Sequence, residues 1–136
     1  MSSETVVLDS SALVVIFKAE ADSLRLTERI ASYKRRMLSA ATWLEAAMVC
    51  ESAAPGGGGD ADCHELIAAL GIAVISFTLE QARLAFEAFK RFGKARGAKA
   101  SLNYGDCFAY ALAKVFDEPL LFKGEDFGFT DIEPNR

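Results

Sequence analysis

The sequence predicts an α/β fold, a mainly parallel central sheet flanked by helices as an α/β/α sandwich. Short apolar runs that read as strands alternate with stretches carrying helical patterning and helix-cap chemistry, and that alternation belongs to a sheet wrapped by its own connections. The chain of 136 residues also fits one domain, residues 1–136, and leaves no room for a second of ordinary size.

Taken in order, Thr5-Val6-Val7-Leu8 is β-branched and too short for a helix, so it reads as a buried strand. Asp9-Ser10-Ser11 then offers cap chemistry before the apolar run Ala12 to Phe17. Residues 20–36 carry Leu24, Leu26, Ile30 and Tyr33 among charges, the pattern of a surface helix. A short strand near Met37-Leu38 leads to Ser39, and an apolar helix follows from about Thr42 to Ala53. Pro55 and the glycines at 56 to 59 form a helix-to-helix loop, since neither side is long enough to be a separate domain.

Residues 61–70 resume a helix that Gly71 ends, and Ile72 to Phe77 reads as a strand. Thr78-Leu79-Glu80-Gln81 has capping-box form and opens a helix through Phe92. Asn103-Tyr104-Gly105-Asp106 opens another to about Phe116. Leu120-Leu121-Phe122 is a last core strand before a turn-rich tail.

Composition narrows the function. A hydrophobic fraction of 51% and a charged fraction of 25% are those of a soluble globular protein. The net charge of −4 argues against a broad basic nucleic-acid surface, so any such contact rests on a local patch. One exists: Arg83, Lys90, Arg91, Lys94, Arg96 and Lys99 face the single acid Glu87 in that interval. Lys94 and Arg96, in the glycine-bearing segment before Asp106, are the candidates for phosphate contact. Lys90 and Arg91 read as a solvated helix end. Three cysteines (Cys50, Cys63, Cys107) are odd in number and read as reduced thiols of a cytoplasmic protein. No signal peptide is visible, and nothing approaches the ~18 apolar residues of a membrane helix.

Four carboxylates stand out by position. Asp9 lies at the carboxyl end of the first strand, the edge where open α/β sheets place ligands. Glu45 falls in the first turn of its helix if Thr42 is the cap, Asp106 lies in the first turn of another, and Asp126 follows a strand across a short turn. Singly, each has an ordinary role as a cap, a capping-box partner, a helix-dipole neighbour or a turn residue. Jointly, with apolar neighbours such as Leu8, Trp43 and Phe108, convergence requires a cation, because two unit charges about 4 Å apart repel by roughly 4 kcal/mol at a dielectric near 20. Hard oxygen ligands point to Mg²⁺ or Mn²⁺. His64 is the only histidine, so a His-based zinc site cannot be assembled. No nucleophile-elbow pattern surrounds Ser10 or Ser11. An aspartyl-phosphate phosphatase is also disfavoured, because Ser11 stands where that chemistry places its second aspartate.

At these residues the chain resembles a known family. Val7-Leu8-Asp9-Ser10-Ser11-Ala12-Leu13 is similar to the opening of PIN domains, and Ser39 to Glu45 to their second acidic element. The run Leu102 to Ala113 and the segment Pro119 to Phe127, with Thr130-Asp131-Ile132, resemble the third and closing blocks of VapC toxins. The resemblance implies a PIN fold, a Mg²⁺ or Mn²⁺ cofactor and cleavage of RNA leaving a 5′-phosphate. It makes Asp9 and Asp106 the principal metal ligands, with Glu45 and Asp126 completing the catalytic acids.

Gly124 stands where many PIN domains carry an additional acid, so the resemblance places the fourth role on Asp126, and Glu125 or Asp131 could share it. The resemblance also implies a homodimer, to which the apolar helix at 42–53 is suited, and a VapB-like antitoxin partner. The antitoxin tail would bring a basic residue to the acids and apolar residues to Leu24, Leu26 and Ile30. The alternatives are a catalytically silent binding module of the same fold, or a housekeeping RNA nuclease without an antitoxin.

Overall fold

The computed structural model describes residues 4–93, 102–123 and 131. Along these the elements run β1 (Thr5–Leu8), α1 (Ser10–Phe17), α2 (Ser23–Ala31), β2 (Arg35–Ser39), α3 (Ala40–Ala53) and α4 (Gly59–Ala69). Then follow β3 (Ile72–Ile75), α5 (Leu79–Phe92), α6 (Tyr104–Phe116) and β4 (Leu120–Leu121). The strands lie parallel in the order β3-β2-β1-β4. Each parallel step needs a crossover, and a helix pair supplies every one.

Side-chain alternation along the strands divides the core in two. Val6 and Leu8 of β1 point to the face covered by α1 to α4, where Leu13, Leu26, Ile30, Leu38 and Ile67 are buried. Val7 points the other way, into a second cluster with Ala88, Leu102, Leu112 and Leu120 beneath α5 and α6. β1 is hydrogen-bonded on both sides and buried along its whole length. The chain moves outward from β1 to β2 and β3, then returns to place β4 on β1's other flank. The strand order therefore reverses at β1, and the crevice beyond its carboxyl end is where such sheets bind ligands.

Two expectations need correction. The helix read over residues 20–36 is shorter, because β2 begins at Arg35 and pairs with β1 from Thr5 onward. The reason lies in Arg36, whose guanidinium binds the carbonyls of Ile30 (2.8 Å), Tyr33 (2.7 Å) and Leu70 (3.1 Å). One fork thus caps the ends of α2 and α4, and the charge pattern that suggested a helix surface belongs to a strand that ties two helices down. Leu26 and Ile30, expected on the surface, are wholly buried, and only Leu24 (69% exposed) is outward.

The other boundaries follow the sequence within a residue or two. Gly71, at φ 63°, takes the left-handed conformation that ends α4. No helix among the described residues is long and apolar enough to cross a membrane.

Candidate active site

Asp9 follows β1 directly and caps α1. Its backbone is extended, its Oδ2 accepts the Ser11 N–H at 3.1 Å, and its own N–H donates to the Leu121 carbonyl at 3.1 Å. The carboxylate is thus fixed to β4 on one side and to α1 on the other. It is only 3% exposed, and its Oδ1 has no hydrogen-bond partner among the described residues. Burial is the main cause that raises its pKa from 3.8 to about 7. Hydrogen bonds from Ser11 oppose that rise, while the neighbouring charges of Asp106 and Glu45 add to it.

Glu45 comes from α3, but not as the capping arithmetic predicts. Ser39 caps the helix, its Oγ accepting the Ala41 N–H at 3.2 Å, so Thr42 is not the cap and Glu45 lies in the second turn. Thr42 is instead fully buried, with no hydrogen-bond partner for its hydroxyl. Freed from capping, Glu45 reaches the start of α6, where a Cβ on Gly105 would stand 1.9 Å from its Oε2. Its Oε1 is buried without a partner among the described residues.

Asp106 fills its ordinary role as well as the acidic one. Asn103 Oδ1 accepts the Asp106 N–H, and Asp106 Oδ2 accepts the Asn103 N–H, both at 2.9 Å. This complete capping box fixes the carboxylate at the positive end of α6.

Asp9 is thus near enough to Asp106 and to Glu45 for both charges to act on its carboxyl. Of the remaining sequence-predicted residues, Asp126, Lys94 and Arg96 lie outside the described residues, as does Glu125. Asp131 is placed elsewhere: its carboxylate accepts from the Tyr110 hydroxyl and pairs with Arg91 (3.2 Å) and Lys114 (3.3 Å). Burial works to raise its pKa, but these partners outweigh it and hold the carboxyl below the usual range. Asp131 clamps α5 to α6 and is committed to those cations. Lys90 and Arg91 are also engaged within the chain, with Glu87 and Asp131 respectively.

The donor set fits a hard divalent cation. Two buried carboxylate oxygens, Asp9 Oδ1 and Glu45 Oε1, have no donor among the described residues, and such orphans cost free energy unless a proton or a cation meets them. Among the described residues no group of three His, Cys, Asp or Glu forms a ready-made metal cluster. Asp106 Oδ2 is engaged with the Asn103 N–H. The cysteines offer no soft ligand or nucleophile, for all three are free and buried. Burial pushes the Cys50 thiol up to about 12 and that of Cys107 up to about 11.

One feature beside the acids escapes a reading of the charges. The rings of Phe77 and Phe108 meet edge to face at 5.0 Å, and those of Tyr104 and Phe108 at 4.8 Å. Tyr104 is 83% exposed, two residues from Asp106. Its place in the first turn of α6 was visible in the sequence, but its outward direction depends on how α3 and α5 flank that turn.

This helix-flanked parallel sheet is that of the PIN domain, whose family model matches residues 6–132. The chain belongs to the PIN-domain family and, within it, to the VapC ribonucleases. A protein named ribonuclease VapC in Mycolicibacterium smegmatis is 44% identical over 128 residues, covering 93% of this chain and 96% of the relative. The fold is also that of Mycobacterium tuberculosis VapC20, described as a toxin that cleaves the sarcin–ricin loop (TM-score 0.73, 16% identity, covering 95% and 99% of the two chains). The toxin–antitoxin pair VapBC2 of Rickettsia felis, solved on promoter DNA, matches with TM-score 0.68 at 13% identity, covering 96% of each chain.

Proposed function

We propose that this chain is a divalent-cation-dependent endoribonuclease, the toxin of a VapBC-like toxin–antitoxin pair. The convergence of Asp9, Glu45 and Asp106, two of them with buried and unpartnered oxygens, is the observation that carries it. The ribonuclease relative at 44% identity supports the choice of RNA.

Asp9 and Asp106 would hold the cation, Mg²⁺ or Mn²⁺, with Glu45 and Asp126 completing the acidic set. Bound there, the ion supplies positive charge that offsets the carboxylates and polarises a phosphodiester. The protein's own part is positioning. Backbone bonds to Ser11 and Leu121 hold Asp9, and the capping box holds Asp106. Glu45 Oε1, buried and unpartnered, is the acceptor left for a proton of the attacking water. Lys94 and Arg96 supply backbone contact to the RNA without sequence choice.

Two protein partners complete the proposal. The enzyme is a homodimer in the cytoplasm. A VapB-like antitoxin inhibits it by bringing an arginine or lysine of an extended tail to the acids, in competition with the cation.

The experiment is cleavage of RNA by purified protein with Mg²⁺ or Mn²⁺, with and without excess EDTA, alongside copurification with the product of the adjacent upstream gene. Metal-dependent cleavage and a stable complex are expected. A folded Asp106→Asn variant that cleaves undiminished overturns the site. Failure to bind the neighbour's product, with no growth defect on expression alone, overturns the toxin role.

A further inference from the structure

We infer that Ser11 and Asp22 are positioning residues for catalysis: together they fasten Lys123, and so fix the start of the segment that carries the fourth proposed acid, Asp126. The inference rests on the nuclease proposal and adds residues that act through the acids rather than on the substrate.

Ser11 serves two parts of the chain at once. Its backbone N–H donates to Asp9 Oδ2 at 3.1 Å, the capping bond of α1. Its hydroxyl accepts the Lys123 N–H at 2.8 Å. The need for that acceptor follows from the sheet. The β1–β4 ladder ends with the pair Leu8 and Leu121, because Asp9 then leaves the strand to cap α1. A strand that continued would offer Lys123 a backbone carbonyl. Here the Ser11 side chain takes that part, so the first acid and the exit of β4 are both held by one residue.

The second fastening is a carboxylate withdrawn from its local role. Asp22 occupies the N-cap of α2, where an aspartate ordinarily accepts from the first N–H groups of the helix, yet it makes no such bond. Its Oδ2 accepts instead from the Lys123 ammonium, with Arg25 at 3.6 Å from the same oxygen. The Lys123 hydrogen bond is the main cause that holds the Asp22 carboxyl below its usual range. The turn that delivers Asp22 is unfavourable on its own, for Ala19 sits at φ 52°, in the left-handed region that a Cβ disfavours. An unused cap and a strained alanine are local costs, and such costs persist where a distant contact fixes the geometry.

The effect on catalysis is geometric. Lys123 stands three residues before Asp126, so freedom at Lys123 passes directly to that acid. Small misplacements of catalytic groups are costly in rate. Neither fastening alters Asp9, Glu45 or Asp106 themselves.

The test compares single-turnover cleavage, with Mn²⁺, of an oligoribonucleotide that the wild type cuts. Ser11→Ala removes the acceptor for Lys123 but keeps the backbone N–H that holds Asp9. Asp22→Ser leaves a side chain able to cap α2 but without charge and too short to hold Lys123. Each should slow the rate at saturating enzyme by roughly tenfold, with half-saturation unchanged. Each should keep the rise in melting temperature that Mn²⁺ produces, and Asp22→Ser should melt no lower than the wild type. Ser11→Thr, which retains the hydroxyl, should restore the rate. Lys123→Met should slow cleavage as Asp22→Ser does, and the two changes together no further.

An unslowed Ser11→Ala or Asp22→Ser overturns the inference. So does a lost response to Mn²⁺, a loss of rate that Ser11→Thr fails to restore, or one that merely follows a fall in melting temperature. If the wild type cuts no RNA with either metal, the nuclease proposal itself fails and the positioning role falls with it.

Discussion

Gly105 and Glu45 are in direct contact across the start of α6: a Cβ at residue 105 would lie 1.9 Å from Glu45 Oε2 and 2.5 Å from its Cδ. A carboxylate, the far end of a flexible side chain, occupies the space that a side chain at residue 105 would take. Gly105→Ala should turn the Glu45 carboxylate from its place at little cost in stability, since only the end of that side chain has to move, and should lower cleavage. In a Glu45→Ala background the same change should lower cleavage no further. A double-mutant cycle by chemical denaturation, with cleavage rates on the same four proteins, checks both outcomes.

A second expectation concerns pH. Asp9 is raised from 3.8 to about 7 in the folded protein, chiefly by burial. The native state therefore binds a proton that the unfolded chain releases, and stability without metal falls as pH rises from about 4 towards 7. The loss from this residue is on the order of 4 kcal/mol at most, by the conversion of pKa difference to free energy. Asp9→Asn keeps an acceptor for Ser11 and should flatten the dependence. Denaturation midpoints in EDTA at several pH values test this, and equal slopes for the two proteins would contradict it.

Adding Mn²⁺ or Mg²⁺ should stabilise the wild type by mass action. The gain should vanish in Asp9→Asn and in Asp106→Asn, although the latter retains an oxygen for the Asn103 N–H. Thermal melts with and without excess metal give the answer independently of any cleavage assay.

Asp131 offers a contrast. Asp131→Asn weakens the clamp on Tyr110, Arg91 and Lys114, and should cost roughly 1 kcal/mol, the size expected of part-exposed ion pairs. Metal-dependent cleavage should survive it. Asp126→Asn should instead reduce cleavage with little change in stability if the proposed catalytic role holds, and equal cleavage by the variant would remove Asp126 from the proposed acidic set.

For Lys94 and Arg96, replacing both with alanine should weaken RNA binding and flatten its salt dependence, since each lost phosphate contact removes released counterions. An unchanged salt slope would mean that they do not touch the backbone.

The strands and most helix limits were legible because their signals are local. Thr5 to Leu8 is short and β-branched, Thr78 caps α5, and Asn103 with Asp106 spells a capping box that forms as written. Where local signals misled, a distant partner decided the outcome. Arg35 and Arg36 looked like helix surface until β1 and the end of α4 claimed them. Thr42 and Ser39 were both plausible caps for α3, and Ser39 prevailed because β2 runs directly into the helix. Asp131 followed the family's closing block in sequence, yet Tyr110 and two cations on neighbouring helices hold it. The convergence of Asp9, Glu45 and Asp106 was readable only as strand-end and helix-start positions. Their nearness depends on the sheet order.

Because β1 is buried throughout and bonded to a strand on each side, the segment that ends in Asp9 belongs to the slowest-opening part of the fold. Amide exchange of Val7 and Asp9 should therefore proceed only through global unfolding, at rates set by the whole domain's stability. An inhibitor of this protein gains nothing by loosening the site, since the first acid gives way only when everything does. Control of such a centre is restricted to occlusion or electrostatic competition, both reversible on dissociation. A toxin released from its inhibitor would then be active at once, with no refolding step to delay it.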